Sequence, residues 1–67
     1  MSQVGSVVSF FDFDAEGEEI HVFGKVEKEF NEPLEEDPLQ RLSYRVRTLD
    51  DRVFTPYAHE CTLVKGA

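Results

Sequence analysis

Tryptophan is absent from this chain, cysteine and methionine occur once each, and basic residues are half as numerous as acidic ones. Each shortage excludes something. With Cys61 alone, no internal disulfide can form. Zinc is poorly supplied too: His59 and Cys61 lie two residues apart, His21 is far from both, and a site would need further well-placed ligands. No apolar stretch approaches the ~20 residues that span a bilayer. The N-terminal MSQVGSVVSFFDFD has no basic leader, and its apolar run ends at Asp12. The expectation is a cytoplasmic protein with no membrane contact, metal or other cofactor, its lone thiol neutral and buried or half-buried.

Catalytic arrangements are missing as well. There is no glycine-rich phosphate loop, neither histidine stands at a recognised spacing from a nucleophile, and the acids are too many to single out a tuned pair. His59, beside Glu60, reads as a surface or capping residue. A chain of 67 residues offers little concave volume from which water could be excluded. The protein is expected not to be an enzyme.

What is present is a single domain, residues 1–67, with an ordered part from about 4 to 65. A core of this size supplies only ~3–5 kcal/mol net. With no disulfide or metal, an efficient core and self-association are the remaining supports, so a homodimer is one expectation.

The formal charge is −7, and its layout is uneven. Eleven acids lie between Asp12 and Asp37 against Lys25 and Lys28, whereas Arg41, Arg45, Arg47, Arg52 and Lys65 outnumber Asp50, Asp51 and Glu60 afterwards. The overall field repels phosphates and lipid headgroups at long range. Nucleic acid is therefore an unfavoured partner and a basic protein a favoured one.

Along the chain, Ser6–Phe11 reads as a strand with Val8 and Phe10 on one side and Val7, Ser9 and Phe11 on the other. Asp12–Glu19 reads as an acidic loop in which Phe13 either folds over the end of the domain or is presented to a partner. Ile20–Phe30 is the clearest strand. Val22 and Val26 face one way, Phe23, Lys25, Glu27 and Glu29 the other, and Gly24 marks a bulge or a sharp bend. Pro33 and Pro38 make Asn31–Gln40 a surface loop, long enough to be either a connector or a contact site.

Arg41–Thr48 alternates strictly, with Leu42, Tyr44, Val46 and Thr48 on one face and Ser43, Arg45 and Arg47 on the other, as in a half-buried antiparallel strand. Leu49–Arg52 makes a tight turn, Arg52–Thr55 returns with Val53 and Phe54 on opposite sides, and Pro56 ends it. Tyr57–Glu60 forms about one helical turn before a closing strand, Cys61–Val64. If the bent strand pairs with Arg41–Thr48, Glu27 and Glu29 oppose Arg45 and Arg47, and such pairs contribute roughly 0.2–1 kcal/mol each.

This order resembles the small SH3-like barrel shared by Tudor and KOW modules. Gly-x-x-Val-x-Phe leads to a bent V-x-G-x-V strand, and Y-x-V-x-T, an acidic turn, V-F-x-P, one turn and E-C-T-L-V follow. The resemblance covers Gly5 to Val64 and implies an all-β fold, a five-stranded antiparallel barrel with a one-turn helix before the last strand. It does not choose a ligand. The chain departs from nucleic-acid-binding KOW modules in being acidic, with Asp50-Asp51 where a glycine-containing turn is common. It departs from proline-peptide binders in lacking tryptophan. In the Tudor manner, Phe11, Phe13, Phe23 and Tyr57 could supply an aromatic cage beside Asp12 or Asp14.

Three binding hypotheses follow. The first is a protein-interaction module or small regulator using acidic loops and exposed aromatics, since six Phe and two Tyr exceed what so small a domain can bury. Its candidate contact residues are Phe11, Asp12, Phe13, Asp14, Phe23, Glu35, Glu36, Asp37 and Tyr57. The second is an acidic mimic of nucleic acid that blocks a basic nucleic-acid-binding protein, of the kind encoded by phages and mobile elements. The third, the least favoured, is direct nucleic-acid binding through the Arg41–Arg52 hairpin.

Overall fold

Two long strands, β1 (Val7–Phe13) and β2 (Glu19–Phe30), form the hairpin on which the rest is built, paired from Val7 opposite Lys25 to Phe13 opposite Glu19. The computed structural model describes residues 2–67. The expected loop at Asp12–Glu19 is shorter than the sequence suggests, because pairing continues through Asp12 and Phe13 and resumes at Glu19. The Asp14 carboxylate closes the turn by accepting the backbone N–H groups of Glu16 and Glu18, each at 2.9 Å, and Gly17 supplies a φ of +81°. One side chain thus does the work of a longer loop.

After Asn31–Gln40 come β3 (Ser43–Arg47), β4 (Val53–Phe54), a single 3-10 turn at Ala58–Glu60, and β5 (Thr62–Lys65). The strand order is β4-β3-β2-β1-β5 and every pairing is antiparallel. The fold is all-β, with one turn before the last strand, as the sequence implied. The sheet curls enough for Phe54 on one edge to meet Phe10 on β1, ring centroids 5.8 Å apart and edge to face. That curl is compatible with a small β-barrel. The link after β4 lies along β3, where Pro56 accepts the Tyr44 N–H at 3.0 Å and Leu42 accepts the Ala58 N–H at 2.8 Å.

Val8, Phe10, Val22, Val26 and Val46 form the buried core, with Ile20, Tyr44, Phe54 and Cys61 packed against it. The alternation predicted most of this, with two corrections. Ser43, assigned to the outer face, is buried where it bridges to Tyr57, and Leu42, assigned to the inner face, is exposed. The β2 bulge also falls elsewhere: register breaks between Val26 and Lys28, at Glu27, and not at Gly24. The extra residue reverses the phase, so Lys28 pairs with Arg45 and Glu29 lies opposite Tyr44. Gly24 marks a close approach instead. A β-carbon there would stand 2.6 Å from Val46 Cγ1 and 2.7 Å from the Arg47 carbonyl oxygen. Among the described residues, no helix is long and apolar enough to cross a membrane.

Candidate functional site

Of the six phenylalanines, only Phe10 is fully buried. Phe11, Phe13 and Phe23 are 60%, 64% and 53% exposed. Two of them are organised by a residue that sequence reasoning missed. The His21 ring stacks on Phe11 with centroids 4.4 Å apart and lies 4.5 Å from Phe23, giving a continuous ring strip across the outer face of β1 and β2. The only sequence signal was the alternation of His21 with Phe23, and its meaning depends on the register that sets His21 opposite Phe11.

Phe11, Asp12 and Phe13 also share an open cleft of about 230 Å³ with Thr55, Pro56, Tyr57 and Glu60. Strand β5 pairs with β1 only from Val7 to Ser9, so the far half of β1 looks onto the link that follows β4. The cleft combines aromatic walls with two carboxylates, Asp12 and Glu60, and carries no lysine or arginine in its lining. Such a site suits a cation: a ring facing a cationic group contributes ~0.5–1 kcal/mol when exposed and ~2 kcal/mol when desolvated.

One face of the Tyr57 ring is already occupied. The Arg41 guanidinium lies 3.9 Å above its ring, and the Asp37 carboxylate holds Arg41 through Nε at 3.2 Å. Asp37 was expected to offer its charge to a partner. It is instead turned inward, accepting the Leu39 and Arg41 backbone N–H groups as well. The proline-bounded loop needs an internal acceptor for those amides, and Asp37 supplies it. Asp14 likewise serves its own turn. Glu35 and Glu36 are exposed but sit apart from the cleft, Glu35 lining a separate depression with Lys28–Leu34. The cleft therefore unites Phe11, Asp12, Phe13 and Tyr57, while Phe23 joins only through His21.

The Arg41 hydrogen bonds hold the Asp37 carboxyl well down, from 3.8 to about 2. A carboxyl lowered by folding adds stability that is complete above its unfolded value and disappears as pH falls toward the folded one. The thermal midpoint is thus expected to drop between pH 3.8 and about 2, and Asp37→Asn should flatten that drop. An unchanged acid limb in Asp37→Asn, measured by circular dichroism across that range, would count against the assignment.

On the other side of the sheet edge, Glu27 Oε1 lies 3.0 Å from Arg47 Nε and 3.9 Å from Arg45 Nε. The expected carboxylate–arginine ladder is half present: Glu29 faces inward and accepts the Gln3 N–H instead. Cys61 is half-buried, its thiol set to donate to the Tyr57 carbonyl at 3.6 Å. Burial, with Glu60 nearby, pushes that thiol up to about 11, so it stays protonated and a poor nucleophile. Among the described residues no three His, Cys, Asp or Glu side chains gather as metal ligands.

No protein-family model, curated protein or solved structure matches this chain.

Proposed function

We propose that this protein is a non-enzymatic interaction module, built as an SH3-like barrel of the Tudor and KOW kind, that receives a basic segment of a partner protein. The barrel reading is supported by β1 lying between β2 and β5, by the long β2 with its bulge at Glu27, and by the turn preceding the last strand. The functional reading rests on one observation: Phe11, Phe13 and Tyr57 line a single cleft with Asp12 and Glu60 and with no lysine or arginine in the lining, Arg41 lying over the Tyr57 ring. A lysine or arginine side chain entering there gains ring faces and carboxylates together. The net charge of −7 adds long-range attraction for basic partners.

Titration calorimetry with a nine-residue arginine- and lysine-rich peptide, against a neutral peptide of equal length, tests this. The basic peptide should bind, and Phe13→Ala and Asp12→Asn should each weaken binding by about 3- to 30-fold, the equivalent of ~0.7–2 kcal/mol. Absence of binding, or equal binding by wild type and both variants, defeats the reading. A nucleic-acid mimic is favoured by a different observation: Glu16, Glu18, Glu32, Glu35 and Glu36 are exposed and form no ion pair among the described residues. It predicts binding to a basic protein that collapses with salt and ignores Phe13.

A further inference from the structure

The outer face of the β1–β2–β3 sheet carries an ordered gradient. Along β2 and its hairpin tip, the exposed side chains run from Glu16, Glu18 and Glu19, through His21 and Phe23, to Lys25 and Lys28. Strand β1 adds Phe11 opposite His21, and β3 adds Arg47 opposite Lys25 and Arg45 opposite Lys28. One end is acidic, the centre aromatic and the other end basic. Six residue steps, about 20 Å, separate the pair Phe13–Glu19 from the pair Val7–Lys25.

The basic end is only partly neutralised within the single chain. Lys25 opposite Arg47 and Lys28 opposite Arg45 are like charges on directly paired positions, an arrangement that destabilises a sheet. Glu27 stands among these four cations, and Asp51 reaches Arg47 at 3.6 Å from the turn. Beside them lies an open apolar cleft of about 430 Å³, lined by Val7, Phe23 and the fully exposed Leu49. Arg45 and Arg47 share Glu27, which leaves Lys25 and Lys28 without an ion pair among the described residues; bordered by exposed apolar surface, these two suit carboxylates and apolar groups supplied from elsewhere.

We infer that the missing groups belong to a second copy of this chain. A face that is acidic at one end, aromatic in the middle and basic at the other is complementary to itself under a two-fold rotation about its centre. In that arrangement the Phe11–His21–Phe23 strips meet, and each tip, Glu16 to Glu19, lies over the partner copy's basic end. Every charge match occurs twice. The molecule measures 29 × 28 × 18 Å, so the ~800 Å² per partner of a standard interface occupies most of one broad side. The chain has reason to use it, since its buried core holds five side chains and no disulfide supports it. The −7 charge of each copy opposes approach, but at physiological salt that repulsion is screened beyond ~8 Å, leaving the local matches to decide.

Sedimentation equilibrium on the full chain over rising concentration tests the inference. Wild type should dimerise. Reversing the acidic end (Glu16→Lys, Glu18→Lys, Glu19→Lys) or the basic end (Lys25→Glu, Lys28→Glu) should each weaken the dimer by about tenfold or more, ~1.4 kcal/mol. At a concentration low enough for both to be monomeric, the Lys25→Glu, Lys28→Glu variant should melt no lower than wild type, because it removes two like-charge pairs. Mixing the two reversed variants should restore dimers, because each tip then meets an opposite base. Glu32→Lys, Glu35→Lys, Glu36→Lys, which makes the same charge change as the acidic-end reversal, should dimerise as well as wild type. A monomeric wild type, reversed variants that dimerise undiminished, or a mixture that stays monomeric overturns the inference.

Discussion

Phe10→Ala is expected to leave little folded protein at room temperature. The ring is fully buried between Val8, Val22, Val26 and Val46, and meets Phe54 edge to face across the curl of the sheet. Truncating a buried phenylalanine to alanine removes its transfer free energy and leaves a cavity, together worth ~3–5 kcal/mol. A domain this small has about that much stability in total. The loss is more than packing, because the Phe10–Phe54 contact joins β4 to β1 across two intervening strands. Urea titration followed by far-ultraviolet circular dichroism measures the effect. Phe10→Leu, which refills most of the space, should fold with a lowered midpoint and allow the cost to be read. A Phe10→Ala midpoint within error of wild type would show that the ring is not the keystone of the core.

Gly24→Ala is the second large effect, and it works by crowding. The added methyl would stand 2.6 Å from Val46 Cγ1 and 2.7 Å from the Arg47 carbonyl oxygen, well inside contact distance. Neither neighbour can retreat cheaply. Val46 is fully buried in the core, and Arg47 is paired with Lys25 in the sheet. Overpacking of this kind costs ~1–3 kcal/mol, and more where the clash is with backbone. Most of the domain's stability is then lost, and β2 must separate from β3 to relieve the contact. Amide hydrogen exchange should show reduced protection at Lys25 and Arg47, the pair that joins β2 to β3 beside Gly24, before the rest of the sheet opens. Unchanged protection there, with a wild-type midpoint, would mean that the strands part more easily than their packing implies.

Both residues show how far sequence reading reaches. The alternation of Val8 with Phe10, and of Tyr44 with Val46, assigned the core correctly because a strand's period of two survives any particular tertiary arrangement. Proline and glycine placed the breaks for the same local reason. Gly24 was recognised as special, but as the site of a bend. The bulge came at Glu27, and it changed which face Lys28 and Glu29 occupy. A one-residue insertion leaves no compositional mark, yet it removed Glu29 from the expected carboxylate ladder and set Lys28 opposite Arg45.

The candidate site was legible in its parts and not in its grouping. Phe11, Asp12, Phe13 and Tyr57 were identifiable as aromatics and acids in excess of what the core needs. They share a cleft because β5 leaves β1 after Ser9 and the Pro56–Tyr57 link fills the space beside it. Asp37 had the same appearance as Glu35 and Glu36, but the half-buried loop amides of Leu39 and Arg41 need an acceptor, and only the folded loop shows which carboxylate provides one.

The amino-acid sequence by itself determined the all-β class, the five strands, their turns and most of the core, since these follow from local backbone preference and a period of two. Tertiary structure alone decided the strand register, the place of the bulge and the grouping of side chains from β1, β2 and the last link. Those depend on contacts between residues distant in the chain. The physical reason is that hydrophobic alternation fixes which face a residue takes only until an extra residue reverses the phase, and pairing between strands, not composition, decides where that occurs.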